Sequence, residues 1–394
     1  MASACVAQAF GRFTWGVVLP GARDDVLGGS NTLAGFFGTL NVTAYLFGTM
    51  GMAWAATRVS LVGLIRIGLA ISTTSIALAA FAPDGAVLGL ARFGMGLGGA
   101  VIWIPAPAVA ARALPPRRAG MAVGMVGSGI GLGIVFAGQV SAWLDRSHRA
   151  AHPRSAGAPT DQWQTTYRIE LVVALAVLVA AFALLRSRGD RPAAGGGGFG
   201  GVRALRSVHG WIPLTVAYAA YGFAYILVVG FLVARLEDDA GFSTGAATGM
   251  FSLLGLATVF GGPTLGPLSD RIGRRRTLTG GFVLFAACAL LALTGTQPWV
   301  AVAAVGVGLM FSALPSLLIA HIVDNTDTDT YGPAFSAATL AFGVMQMVSP
   351  QVGGVIADTT GSFTPVFMLS AAVSLVAAAA ASRLPTGAPA DPHP

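Results

Sequence analysis

Apolar residues come in twelve long runs, at roughly 3–22, 32–52, 61–82, 86–110, 119–144, 166–185, 211–233, 245–268, 277–296, 298–322, 333–356 and 364–382. Polar and charged residues collect in the short stretches between them. About 20 apolar residues suffice for a helix to cross the hydrocarbon layer, and a helix satisfies its own backbone groups there. The pattern therefore predicts an all-α integral membrane protein with twelve transmembrane helices.

The runs divide six and six around a basic, glycine-rich segment at 188–209, which includes four consecutive glycines at 195–198. That composition predicts a flexible linker. It is not a phosphate-binding loop, because the Lys and Ser/Thr of such a loop are missing. The expected organisation is a six-helix bundle at 1–187, the linker at 188–209, a second bundle at 210–384 and a short tail at 385–394. The halves are faintly alike. An offset of 212 places Gly120 on Gly332, Gly131 on Gly343 and Gln139 on Gln351. Repeated halves around a central site are a common construction for carriers.

Composition supports the membrane reading: 55% of the 394 residues are hydrophobic and 10% charged, against about a quarter charged in soluble proteins. All 23 basic residues are Arg, which reads as the codon bias of a GC-rich, bacterial genome. The high pI raises nucleic-acid binding, but the arginines stand at the ends of apolar runs, so no nucleic-acid partner is expected. If the N-terminus is cytoplasmic, the inner segments hold Arg58, Arg66, Arg112, Arg117, Arg118, Arg186, Arg188, Arg191, Arg203, Arg206, Arg271, Arg274, Arg275 and Arg276. The outer segments hold Arg23, Arg146, Arg149, Arg154, Arg168 and Arg235. This bias predicts a multi-pass protein of the bacterial inner membrane with both termini inside. Met1 opens straight onto the first run without a basic stretch or cleavage site, so no removable signal peptide is expected, and a start slightly upstream is.

Charges inside the bilayer are costly and mark function by default. Arg12 lies near the middle of the first run and Arg92 in the outer half of the fourth. No carboxylate lies near the middle of any run; Glu170, and Asp324 with His321, stand toward run ends. Two arginines without a central carboxylate call for an anionic partner, such as a small organic carboxylate, or else for backbone carbonyls and glutamines such as Gln8 and Gln139. Helical spacing adds candidates: Asn41 and Tyr45 share one face, Arg92, Gly96, Gly99 and Trp103 another, and Tyr218, Tyr221 and Tyr225 a third. Gln139, Gln351, Glu170 and His321 complete the substrate or coupling candidates. Cys5 and Cys288 lie in apolar runs and form no metal spacing or disulfide framework. No paired carboxylates, metal cluster or activated nucleophile is visible, so neither catalysis, nor a metal, nor a cofactor is expected.

The segment Gly266-Pro-Leu-Ser-Asp270-Arg271-Ile-Gly273-Arg274-Arg275-Arg276 resembles the signature loop of the major facilitator superfamily. Arg92-Phe-Gly-Met-Gly96-Leu-Gly98 is similar to the superfamily's fourth-helix motif, and Gly124, Gly127, Gly129, Gly131 and Gly133 resemble its fifth-helix glycine motif, here without the usual proline. Gly11-Arg12-Phe13 with Leu19-Pro20, and Tyr221-Gly222-Phe223-Ala224-Tyr225, look most like the YbfB/YjiJ-type bacterial branch. The resemblance implies a monomeric secondary transporter working by alternating access, with the proton as coupling ion. It also implies a cavity lined by spans one, two, four, five, seven, eight, ten and eleven. Gly266, Asp270, Arg271, Gly273, Arg274 and Arg275 would form a conformational latch, whose first-half counterpart, Gly51 to Arg66, lacks an acidic residue. The alternatives are an exporter of drugs or metabolites, and a sensor or scaffold that keeps the fold without transport.

Overall fold

The computed structural model describes residues 1–55, 58–113, 119–152, 161–185 and 201–385. Arg117, Arg118, Arg154, Arg186, Arg188, Arg191, the glycines at 195–198 and the tail from 386 lie outside the described residues. Helices are the sole regular structure among the described residues. The first, α1, is a composite: a turn at Ala2–Ala4, a wide π-helical stretch at Cys5–Phe13 and an α-helix at Thr14–Val26. Next come α2 (Asn31–Ala55), α3 (Leu61–Ala80) and α4 (Gly85–Trp103, continued by Pro105–Ala113), then α5 (Ala119–Ala151) and α6 (Gln162–Leu184). A short helix at Gly201–Ser207 precedes α7 (Trp211–Ala234, with a π-turn at Arg235–Asp239), α8 (Thr244–Ile272) and α9 (Arg274–Leu291). The last three are α10 (Trp299–Asp324), α11 (Thr328–Thr360) and α12 (Thr364–Ala381).

Ten helices, α3 to α12, are long and apolar enough to cross a membrane, counted among the described residues. The first two expected spans are helical as well, but they carry the polar residues of the site: Gln8, Arg12 and Thr14 on α1, Thr39, Asn41 and Tyr45 on α2. Local chemistry sets the boundaries. Ser60, Asp84 and Ser243 accept the Gly63, Val87 and Ala246 amides at the starts of α3, α4 and α8, and Asp327 forms a capping box with Thr330 on α11. At the α8–α9 turn Gly273 adopts φ 91°, a conformation that a side chain disfavours.

Packing repeats from one half of the chain to the other. In the first half α2 and α3 pack on α4, α6 on α3, and α1 on α4, α5 and α6. In the second half α8 and α9 pack on α10, α12 on α9, and α7 on α11 and α12. Among the described residues three helix pairs carry most of the packing between the halves: α2 on α11, α5 on α8 and α1 on α7. These crossings are close because they lack side chains where the backbones meet, as is usual between membrane helices. A Cβ added at Gly131 of α5 would stand 2.8 Å from the Gly255 carbonyl of α8. The contacts fade along the bundle. Gly51, Gly124, Gly127, Gly262, Gly266 and Gly332, all toward the other end of these four helices, have no neighbouring atom where a Cβ would be among the described residues. The halves thus close at the end holding the α1–α2 turn and part at the opposite end.

Candidate functional site

The π-helical stretch of α1 brings two arginines to opposite sides of one peptide. Its wide turns present the Gly11 carbonyl sideways, where it accepts N–H groups from Arg92 (3.2 Å) and Asn41 (3.1 Å). Asn41 also bonds the Arg92 carbonyl at 2.9 Å, which fixes α2 against α4. Single π-turns inside α-helices occur frequently at functional sites, and this one separates the roles of its neighbours. Arg92 turns inward and is buried, its guanidinium 4.8 Å from the Trp15 ring. Arg12 turns the other way, toward the second half.

Arg12 is half-buried. Its guanidinium lies 5.4 Å from the Tyr45 ring and 5.8 Å from that of Phe13, and it donates to Gln346 Oε1 of α11 at 2.8 Å. The Gln346 amide in turn donates to the Tyr225 hydroxyl of α7. Behind Gln346 stand the rings of Tyr221, Tyr225 and Phe342, nearly parallel with centroids 5.1 to 6.1 Å apart, and Tyr218 stacks on Phe342 at 4.6 Å. Phe311 of α10 closes the group, edge-on to Phe13 at 5.2 Å and 5.3 Å from Tyr225. The Tyr221 hydroxyl is taken up by the Phe311 carbonyl at 2.6 Å. Beyond Arg12 toward the closed end lies a narrow crevice of about 40 Å³. Apart from Arg12, Asn41 and Arg92 its lining is apolar, with Leu19, Val229 and Pro350 among the walls. Neither arginine meets a carboxylate within ion-pair distance among the described residues. Arg12 is held by a glutamine and Arg92 by a backbone carbonyl.

Of the residues expected from the sequence, Arg12, Tyr45 and Tyr225 meet around one point, with Tyr221 and Tyr218 stacked behind it. Asn41 serves the backbone. Trp103 is half-buried and lies eleven residues past Arg92, about 16 Å further along the helix, outside this group. Gln139 is exposed, and Gln351 is half-buried with a carbonyl oxygen that finds no partner. His321 is buried near the end of α10, its carbonyl bonded by Asn325, in the neighbourhood of the signature turn. Glu170 is fully buried and accepts the Thr14 hydroxyl at 2.6 Å. Sequence reasoning missed Gln346, Phe311, Phe342 and Thr14.

The signature turn ties three helices of the second half. Arg274 reaches Asp270 at 2.8 Å, Asp324 at 3.0 Å and Ser269 at 3.1 Å. Asp270, Arg271, Gly273 and Arg275 surround it at the surface with Gly266 half-buried below, and among the described residues this cluster makes no bond to the first half. In the first half Arg66 binds the last carbonyls of α6, at Ala181, Phe182 and Leu185, a basic side chain at a helix C-terminus.

A family profile described as "Uncharacterised MFS-type transporter YbfB" matches residues 4–382. The chain belongs to this family. It is therefore a multi-pass membrane protein of the major facilitator superfamily, a superfamily of transporters and not of enzymes. Solved superfamily structures share its fold. A D-xylose–proton symporter superposes with a TM-score of 0.76 at 14% identity, over 97% of this chain and 96% of that one. A bacterial homologue of the human lysosomal transporter Spinster, inward-facing and occupied, gives 0.73 at 16%, over 99% and 97%. Partial likenesses extend to Hippocampus abundant transcript-like protein 1 of Bos taurus, 24% identical over 46% of this chain, and to Protein ZINC INDUCED FACILITATOR 1 of Arabidopsis thaliana, 27% over 37%. The matched stretches span 35% and 30% of those two proteins.

Proposed function

We propose that this superfamily member is a proton-coupled secondary transporter that moves a small organic anion by alternating access. It spans the cytoplasmic membrane twelve times, with six-helix halves at 1–187 and 210–384, a cytoplasmic linker at 188–209 and both termini inside. The parted end then faces the cytoplasm, and the state described above is inward-facing. The latch residues Asp270, Arg271 and Arg274 lie at that end and would engage the first half when it closes, Arg274 exchanging its present bonds within the second half for partners there.

One observation carries the substrate class: among the described residues Arg12 stands between the halves with neutral partners alone. A cation at that depth is expensive, and an entering carboxylate would neutralise it while accepting charge-assisted hydrogen bonds of about 1.5–3 kcal/mol each. Gln346 and Tyr225 would share the same oxygens, and the aromatic group would pack the apolar body.

The test is uptake of labelled benzoate, lactate and succinate into proteoliposomes with an imposed pH gradient. At least one of these anions should accumulate, and Arg12→Gln should reduce its uptake tenfold or more. A carrier of neutral or cationic solutes that is indifferent to Arg12→Gln would overturn the reading.

A further inference from the structure

Glu170 lies eight residues into α6, about 12 Å from its start, and is completely buried. Thr14 of α1 satisfies one carboxyl oxygen; the other, Oε2, has no partner. Groups face it from several sides. From α1 come Thr14 and the Cys5 thiol, from its own helix Tyr167, and from α4, across Tyr167, the guanidinium of Arg92. The other two helices packed on α6 are α3 and α5, whose Arg66 and Asp145 sit at the ends of the contact. Both are already engaged, Arg66 with the α6 carbonyls and Asp145 with Arg149 and the Gly245 amide.

Tyr167 lies against Arg92 and interacts with it, yet neither its hydroxyl nor Arg92 Nε completes a well-directed hydrogen bond in this state. Three polar atoms on three adjacent buried side chains are thus unmatched. Buried polar groups in folded proteins are nearly always paired, and a half-satisfied network is costly. A second arrangement repairs it. If the Glu170 carboxyl releases its proton, the carboxylate gains an acceptor for the Tyr167 hydroxyl and attracts the Arg92 guanidinium.

We propose that Glu170 is the binding site of the coupling proton, with Arg92 as its counter-charge and the π-stretch of α1 as the link to the substrate site. The proposal rests on the transport function above. The step is the loss of one proton from the carboxyl group to water; Arg92 keeps its charge throughout, so the cluster passes from net positive to neutral. Arg92 now bonds the Gly11 carbonyl. When it swings to Glu170 it releases that carbonyl and frees the turn that carries Arg12. Proton occupancy of one cluster thereby sets the position of the cation in the other, and Thr14, at the junction of the π and α segments, moves with both.

Infrared difference spectroscopy on the purified full-length protein in lipid, stepped in pH without any substrate, reads the carboxyl directly. With Glu237, the other carboxyl holding an unpartnered buried oxygen among the described residues, replaced by Gln throughout, the parent protein should show a protonated-carboxyl band that disappears as pH rises, and Glu170→Gln should lack it. Arg92→Gln removes the counter-charge, so the band should persist to a pH at least one unit higher. Thr14→Val, which takes away the hydrogen bond, should shift it the same way and serves if Arg92→Gln does not fold. A band that survives in Glu170→Gln, or one that neither variant moves, overturns the proposal. In the proteoliposomes Glu170→Gln should lose uptake driven by the pH gradient while retaining exchange of the same labelled anion across equal pH. Equal loss of both activities would reduce Glu170 to a structural role and overturn the coupling. If the wild type carries none of the anions, the transport reading fails by itself, and the infrared bands still judge the proton site.

Discussion

Arg12 and Gln346 form the contact from which the chemistry of this carrier can be argued residue by residue. The amide accepts from the guanidinium with its oxygen and donates to Tyr225 with its nitrogen, so one side chain aligns a cation from the first half with a hydroxyl from the second. Gln346→Leu keeps the bulk and deletes both bonds. A hydrogen bond to a charged group is worth about 1.5–3 kcal/mol, and part of that would be regained by the substrate itself. If the substrate is the anion proposed above, its KM should rise about tenfold, in line with the lower part of that range, with kcat less affected. Uptake kinetics measure it, and an unchanged KM would remove Gln346 from the site. Arg12 and Arg92 were legible in the sequence because a charge inside an apolar run is conspicuous. Gln346 was not, because a neutral amide scarcely disturbs the pattern, and attention fell on Gln351. Five residues on a helix are a turn of about 500°, which leaves the two about 140° apart around α11. For Glu170 the sequence shows a place toward the end of a run but nothing of its complete burial. The covering residue Thr14 is far away in sequence, and no local pattern reports that burial.

At the scale of elements, the glycines were legible as packing residues, and the structure shows which of them do it. In α5, Gly131 meets α8 and Gly133 meets Ala9 and Cys5 of α1, whereas Gly124 and Gly127 touch nothing. One glycine-rich motif therefore does two jobs, a tight crossing at one end and bare surface at the other. Gly131→Leu should force α5 and α8 apart where the Gly255 backbone now approaches. Overpacking of this kind costs about 1–3 kcal/mol, so a thermal melt in detergent should fall by several degrees. Gly127→Leu, in open space, should melt near wild type in this state; equal losses for the two would contradict the assigned crossing. The helices themselves could be placed from apolar run length to within about five residues, except that α5 continues seven residues past its run, to Ala151. The π-stretch of α1 could not, because it is fixed by the partners of the Gly11 carbonyl on α2 and α4, and not by any residue preference at Cys5–Phe13.

Across the whole molecule, the closed end is held by a device that the repeat makes twice. Asp358 of α11 receives the Asn31 and Thr32 amides at the start of α2, at 2.9 and 2.7 Å. Asp145 of α5 receives the Gly245 amide at the start of α8, at 3.0 Å. Asp358 stands 213 residues after Asp145, and Gly245 stands 213 after Thr32, so the clasps are equivalents in the two halves, close to the offset of 212 found by comparing glycines. Each crosses between halves, and Arg23 of α1 adds a third tie to Asp238 beyond α7. The repeat was legible in outline from the sequence; its use as a clasp was not, since an aspartate near a helix end ordinarily means a solvated cap. A carboxylate at a helix N-terminus contributes about 0.3–1 kcal/mol when exposed and up to ~2 kcal/mol when partly buried. Asp358 is exposed and Asp145 buried, so together they hold this state by about 2 kcal/mol, a factor of roughly 30 in population. Spin labels at the open positions 51 and 332, on α2 and α11, would report closure of the parted end as a shorter distance. In Asp145→Asn with Asp358→Asn, where the amide keeps the shape but loses the charge, the short-distance population should grow at the expense of the long one. The single variants should give intermediate shifts, larger for Asp145 because its surroundings screen it less. A distance distribution that ignores both substitutions would mean that helix packing and the Arg23–Asp238 tie hold the closed end without the two carboxylates, and that the doubled clasp is an accident of the repeat.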